Sequence, residues 1–98
     1  MRPPASADAA EVLAGIAAVA REHLGHTGPL PLEARLVEDL ALDSIRLLTL
    51  ATEVENRFRV LLSPEDEQAI ATVGDLVAVV RSKLELAAQG EPTPEPTR

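Results

Sequence analysis

Apolar residues recur every three or four positions in four separate stretches of this chain, and no convincing stretch alternates apolar and polar residues. This spacing predicts an all-α protein, because a helix brings positions three and four apart onto one face. The predicted architecture is a four-helix bundle of three longer helices and one short helix, with a long loop between the first two.

The first helix is expected to begin at Asp8 and to end near Gly25. Asp8 can cap the first turn, with Glu11 three residues later in a capping-box pattern, and glycine often ends a helix. The expected buried stripe is Val12, Leu13, Ile16, Val19, Ala20 and Leu24.

A long connection follows over residues 25–42, and the prolines of Gly28-Pro29-Leu30-Pro31 block regular helix near its start. Loops of this length are uncommon unless they are functional or fixed to the core. The side chains expected to fix it onto the helices are Leu30, Leu32, Leu36, Leu40 and Leu42.

The second helix is predicted for residues 44–59. Its inward arc contains Leu47, Leu50, Ala51, Val54 and Phe58. On the same helical wheel Ile45, Leu48 and Thr52 share a different side, beside Ser44. This strip could bind a partner, or it could be the scattered apolar exposure that is normal on soluble proteins.

The sequence Ser63-Pro64-Glu65-Asp66 indicates a third helix of at most two turns, with serine at the N-cap and proline at the first position. Thr72 and Asp75 form a capping-box pattern at the start of the fourth helix. The residues of that helix expected in the core are Val73, Leu76, Val77, Val80 and Leu84.

The composition narrows the possible functions. The 98 residues can form one modest aliphatic core, with one Phe and no Tyr or Trp, so a deep enzyme cleft is not expected. The absence of Cys excludes a disulfide framework and a thiolate site. Charged residues interrupt the N-terminal apolar run, so neither a signal peptide nor a membrane span is expected, and we interpret the protein as soluble and cytoplasmic.

The formal net charge of -7 argues against binding to nucleic acid or to an anionic membrane. It suits a partner with a basic docking face, although solubility alone could account for the same charge.

The sequence contains no residue pattern that predicts catalysis or metal binding. His23 and His26 are separated by the expected helix end at Gly25, and no further ligands accompany them, so no metal site is predicted. The adjacent Glu38 and Asp39 should point apart instead of forming an acid/base pair. A small hydrolase would need a general base near Ser44, and the sequence offers no candidate.

Ser44 stands out because Asp43, the residue before it, can already cap the second helix. The Ser44 hydroxyl is therefore free for another use. The first turn of a helix exposes unpaired N–H groups and the positive end of the helix dipole, so a phosphate ester on Ser44 would be stabilised there. Asp-Ser alone is a common helix start, and the surrounding pattern makes the difference.

Residues 36–50, with their continuation through Phe58 to Val80, resemble an acyl or peptidyl carrier protein. That family usually has Asp-Leu-Gly-Leu-Asp-Ser-Leu before an amphipathic helix, and this chain reads Asp39-Leu40-Ala41-Leu42-Asp43-Ser44-Ile45. The resemblance implies that Ser44 receives a 4′-phosphopantetheine arm from coenzyme A through a separate phosphopantetheinyl transferase. The arm would carry an acyl or aminoacyl group as a thioester, and the protein itself would catalyse nothing.

The resemblance also assigns a partner face. Asp43 matches the acid before the serine, while Ile45, Leu48 and Thr52 match helix positions that meet partner enzymes. The implied partners are the transferase, an acyl- or aminoacyl-activating enzyme and downstream synthase or transferase enzymes, acting on a monomer. A cargo of moderate length is expected to tuck between the second and fourth helices, near Leu50, Val54 and Val77.

Two departures from the family pattern refine this interpretation. Ala41 replaces the usual glycine, which bears on the local turn geometry. Arg46, Arg57 and Arg59 lie on a helix that is strongly acidic in carriers of bacterial fatty acid synthesis. A carrier in specialised polyketide or nonribosomal peptide biosynthesis is therefore favoured, with an antibiotic as one such product.

The expected organisation is a flexible N-terminus over residues 1–7, a carrier domain over residues 8–88 and a disordered Pro-rich tail over residues 89–98. The tail fits a stand-alone carrier and equally a domain excised from a larger synthase. The alternative function is an unmodified helical interaction module that docks partners through Ile45 and Leu48.

Overall fold

The computed structural model describes residues 8–88. Its helices are α1 (Ala9–Leu24), α2 (Ser44–Phe58), α3 (Pro64–Ala69) and α4 (Val73–Ala88). Strand-like pairing within this range is limited to an isolated antiparallel bridge between Arg35 and Thr72. The predicted all-α architecture of three longer helices and one short helix is confirmed. The predicted flexible N-terminus and Pro-rich tail lie outside the described residues.

The ends of α1 and α2 agree with the capping signals in the sequence. The Asp8 carboxylate accepts a hydrogen bond from the N–H of Ala10, and Gly25 ends α1 in the left-handed conformation, with φ 71°. Asp43 caps the start of α2, and Arg59, the residue after its last helical position, is also left-handed. Local side-chain chemistry thus sets these boundaries.

Reciprocal capping boxes start α3 and α4. Ser63 Oγ accepts from the N–H of Asp66, whose carboxylate accepts from the N–H of Ser63. Thr72 and Asp75 make the same exchange at α4, at 3.1 Å in both directions. Hydrogen bonds to their charged forms lower the pKa of both aspartates, with Lys83 the largest cause for Asp66 and the N–H of Ala71 for Asp75.

The core is aliphatic, as the composition predicts, and α1 packs against both α2 and α4. Phe58 is partly buried at the edge of the core, where it approaches Gly15 of α1. A Cβ at Gly15 would lie 2.5 Å from the Phe58 ring, so glycine makes room for this contact between α1 and α2. The predicted inward stripes of α1, α2 and α4 are all buried or partly buried.

The connection between α1 and α2 is fixed to the helices. Four of the predicted leucine anchors are buried or partly buried: Leu30, Leu36, Leu40 and Leu42. The prediction for Leu32 is wrong, because its side chain is 48% exposed. Its carbonyl instead accepts a hydrogen bond from the N–H of Gly74 at 2.8 Å, so its backbone fixes the loop.

Candidate functional site

The segment that leads into α2 is hydrogen-bonded to the start of α4. The N–H of Leu36 donates to the carbonyl of Ala71 at 3.0 Å, and the N–H of Val73 donates to the carbonyl of Ala34 at 2.9 Å. These bonds connect residues far apart in sequence. They place the N-terminus of α2 at a defined position relative to α4.

A second set of bonds tightens the turn ahead of α2. Asp39 accepts from the backbone N–H of Arg35 at 2.8 Å and from its guanidinium at 3.2 Å, while Glu38 also pairs with Arg35. The hydrogen bond from the Arg35 side chain is the largest cause that lowers the pKa of Asp39. The two acids therefore stabilise a surface turn.

Ala41 adopts the left-handed conformation, with φ 59°. Left-handed backbone is unfavourable for alanine and freely accessible to glycine. The replacement of glycine thus leaves the turn in a glycine-like geometry at some cost in stability. Immediately afterwards the N–H of Leu42 donates to the carbonyl of Leu36, and the Leu42 side chain is buried.

At the start of α2, Asp43 caps the helix and the Ser44 hydroxyl is not needed for capping, as predicted. The Asp43 carboxylate accepts from the N–H of Arg46 at 2.9 Å. Ser44 is the first helical residue and is exposed. Its hydroxyl makes no hydrogen bond with any residue in the range 8–88. Ser44 is therefore an exposed residue whose hydroxyl has no partner within residues 8–88, at the positive end of a helix.

The strip formed by Ile45, Leu48 and Thr52 faces outward. Ile45 is 71% exposed and Leu48 is 62% exposed, whereas Leu50 and Val54 on the opposite side of α2 are buried. Thr52 is exposed as well. The face assignment made from the helical wheel is confirmed. We call these three residues the apolar strip.

The acidic and basic side chains of α2 and its C-cap differ in whether they have intramolecular partners. Glu53 lies 3.4 Å from His23 of α1, and Glu55 accepts from the N–H of Leu62 at 2.8 Å. Both acids of the helix thus have intramolecular partners. Its exposed arginines form no ion pair within the described part of the chain: Arg46, Arg57 and Arg59.

A cavity of about 290 Å³, partly open to solvent, lies beside Ser44. Its lining combines α2 with the segment around α3 and the start of α4. The lining residues are Leu36, Ser44, Leu47, Leu48, Leu50, Ala51, Leu62, Glu67, Ile70 and Leu76. Leu48 belongs both to this cavity and to the apolar strip, so the two features adjoin.

The cavity differs from the cargo position expected from the sequence. Leu50 lines it as expected, but Val54 and Val77 are packed in the core, at 0% and 4% exposure. Leu62, Glu67 and Ile70 were not anticipated as lining residues. The hydrophobic pattern around the short α3 could have indicated Leu62 and Ile70, but no sequence signal placed Glu67 there.

Both histidines have contacts with residues other than Ser44. His23 lies beside Glu53, and His26 Nε2 is 3.5 Å from the carbonyl oxygen of Pro29. Across residues 8–88 no group of three or more His, Cys, Asp or Glu side chains could hold a metal ion. None of the helices in the same range is long and apolar enough to span a membrane.

The site combines an exposed serine at a helix start with an adjoining apolar strip on a small helical bundle. This combination is typical of carrier proteins. Comparison with known proteins identifies the family. A family model described as a phosphopantetheine attachment site matches residues 11–80. The acyl carrier protein of Beutenbergia cavernae is 32% identical over 71 residues, which cover 71% of this chain and 87% of that protein.

Two mycobacterial proteins are similar as well. The meromycolate extension acyl carrier protein of Mycobacterium bovis is 36% identical over 76 residues, covering 76% of this chain and 65% of that protein. A solved chain from Mycobacterium tuberculosis, described as a candidate acyl carrier protein, is 34% identical with a TM-score of 0.68. That alignment covers 72% of this chain and 96% of the solved chain.

This chain therefore belongs to the acyl carrier protein family. It is a carrier and not an enzyme, and its cofactor is a covalently bound 4′-phosphopantetheine. Its partners include a phosphopantetheinyl transferase and acyl-handling enzymes.

Proposed function

We propose that Ser44 is the residue that carries the 4′-phosphopantetheine arm. The observation that supports this most directly is the exposed hydroxyl at the first position of α2, with Asp43 already supplying the cap. The nearby N–H groups and the helix dipole would stabilise a phosphodiester at this position. The thiol of the arm would hold the cargo as a thioester.

Attachment forms the bond between Ser44 Oγ and the phosphorus that bears the pantetheine. The pyrophosphate bond of coenzyme A breaks and adenosine 3′,5′-bisphosphate leaves. The hydroxyl proton of Ser44 goes to a base on the transferase, because neither histidine of this chain forms a hydrogen bond with Ser44.

The apolar strip is our proposal for the surface that meets partner enzymes. Ile45 and Leu48 expose apolar side chains directly after Ser44, and Thr52 extends the same face by one helical turn. A partner that covers this strip gains apolar burial while it brings its active site to Ser44. Asp43 borders the strip and keeps the start of α2 ordered.

The cavity beside Ser44 is a fitting place for the cargo. Its volume of about 290 Å³ is well above the 150 Å³ or so of an engineered apolar cavity that binds benzene. The mostly aliphatic lining would shield an acyl chain from water. This position replaces the one near Val54 and Val77 that the sequence suggested.

The pathway is a further part of the proposal. The unpaired arginines of α2 support a specialised carrier of the polyketide or nonribosomal peptide kind, loaded by an acyl- or aminoacyl-activating enzyme. A second candidate is lipid chain extension, favoured by the mycobacterial relative named for meromycolate extension. Loading assays of the modified protein with activating enzymes of both kinds would separate the two. A monomeric state and a cytoplasmic location remain predictions.

Mass spectrometry tests the attachment site. Incubation with coenzyme A and a broad-specificity phosphopantetheinyl transferase should add one phosphopantetheine mass to the wild type and none to Ser44→Ala. Ser82→Ala is a matched control, because Ser82 is an exposed serine of α4 and should be modified like the wild type. Equal modification of Ser44→Ala would exclude Ser44 as the site.

The same pair of proteins addresses the alternative of an unmodified interaction module. The affinity of partner enzymes for Ser44→Ala would be compared with their affinity for the wild type that carries its arm. Equal affinities would support an unmodified module that binds through Ile45 and Leu48.

A further inference from the structure

Glu67 is the one acidic residue in the lining of the cavity beside Ser44. Apart from Ser44 and Glu67, every side chain that lines the cavity is aliphatic. Glu67 belongs to α3, and its carboxylate forms no hydrogen bond or ion pair with a described residue. The lining of the cavity thus includes one acidic residue, itself exposed to solvent, that has no side-chain partner within residues 8–88.

The backbone around Glu67 is firmly placed. Its N–H donates to the carbonyl of Ser63 at 3.0 Å, and its carbonyl accepts from the N–H of Ile70 at 3.2 Å. The neighbouring Asp66 connects α3 to α4 through an ion pair with Lys83 at 2.8 Å. The backbone that carries Glu67 at the edge of the cavity is therefore held in place, while the residue itself is exposed to solvent.

A cargo that fills the cavity lies beside Glu67, an exposed residue, and any contact with its carboxylate displaces part of the water bound there. Removing water from a charged group is unfavourable unless another group replaces the lost hydrogen bonds. A purely aliphatic cargo offers no such group, whereas an ammonium group offers both hydrogen bonds and opposite charge. The remaining aliphatic walls still favour a hydrocarbon segment.

We infer that Glu67 is a specificity-determining residue that favours acyl cargo with an amine on a short aliphatic chain over cargo that ends in a methyl group. This rests on the proposed function of Ser44 and the cavity, and it names the cargo chemistry. Glu67 acts by binding the cargo and takes no part in a reaction. Glu65 of the same helix does not line the cavity and serves as its control.

A matched pair of cargoes tests the inference. A broad-specificity transferase would load the chain with 6-aminohexanoyl or heptanoyl coenzyme A, both prepared as hydrolysis-resistant amides. The two groups have the same chain length and differ in the terminal ammonium or methyl. Melting temperatures of the loaded wild type, Glu67→Gln and Glu65→Gln would then be compared at low salt.

Glu67→Gln should lower the melting temperature of the amine-terminated form relative to the methyl-terminated form by about 2–4 °C. Glu65→Gln should leave that difference as in the wild type, and 1 M salt should reduce it, since salt screens charge pairs. An unchanged difference in Glu67→Gln, or the same change in both variants, overturns the inference. Failure of the proposed function is separately visible, because neither cargo mass would then be added.

Discussion

Ala41 shows how a single residue can depart from a pattern while the local geometry persists. Its φ of 59° lies in the region that glycine occupies without strain. The turn is held from outside, because Arg35 bonds Asp39 ahead of it and Leu42 is anchored in the core after it. Surrounding bonds thus impose a conformation that alanine alone would avoid.

Replacing Ala41 with glycine should stabilise the protein by about 0.5–1 kcal/mol. Relief of left-handed strain contributes about 1–2 kcal/mol, and the greater entropy of glycine in the unfolded chain removes about 0.4–1 kcal/mol. Urea denaturation would measure the change. Ala71→Gly is the control, because Ala71 is exposed, lies outside the helices and lacks a positive φ. Stabilisation of similar size in both variants would contradict the explanation.

Among the helices, α2 packs one side against the core and exposes apolar side chains on the opposite side. Leu50 and Val54 are buried, whereas Ile45 and Leu48 are exposed. The acids Glu53 and Glu55 are directed into intramolecular contacts. The surface of α2 therefore presents arginines and apolar side chains although the whole chain carries a net charge of -7. Net charge alone is a poor guide to the partner that meets this helix.

Charged substitutions in the apolar strip should separate docking from folding. Ile45→Glu or Leu48→Glu should lower kcat/KM for modification by the transferase about tenfold or more, because each places a charge where apolar contact is expected. The melting temperature should change little, since both side chains are exposed.

Val54→Glu provides the contrast, because a charge at this fully buried position should unfold the bundle. Circular dichroism would monitor folding in parallel with the modification assay. Unfolding by Ile45→Glu, or an unaltered modification rate in both strip variants, would contradict the assignment of this face.

Across the whole molecule, three aspartates stabilise helix starts and the turn before α2, and one of them also joins two helices. Asp66 joins the start of α3 to Lys83 of α4, and Asp75 binds the backbone at the start of α4. Arg35 and Asp39 close the turn before α2. The pKa of each of these three carboxyls is lowered in the folded protein.

Stability should consequently depend on acid pH. A carboxyl whose pKa is lower in the folded state contributes its stabilisation above its unfolded pKa, near 3.8 here, and loses it as the pH falls through the folded pKa. The urea midpoint should therefore be level at neutral pH and decline below about pH 4 to 5.

Asp66→Asn should lower the midpoint at pH 7 and flatten its decline in acid, because the amide does not titrate. Glu85→Gln is the control, since Glu85 is an exposed acid of α4 without an ion pair in the described range. A decline in Asp66→Asn as steep as in the wild type would show that Asp66 does not contribute to the acid dependence.

The helices, their buried faces and a Ser44 hydroxyl that is not needed for capping could all be predicted from local patterns in the sequence. Capping and amphipathic spacing act over a few residues, so Asp8, Asp43, Ser63 and Thr72 could be read directly as helix starts. The way distant segments meet could not be predicted: the exposure of Leu32, the contacts of Glu53 with α1 and of Glu55 with Leu62, and the position of Glu67 at the cavity. These depend on contacts between separate elements, which local spacing does not encode.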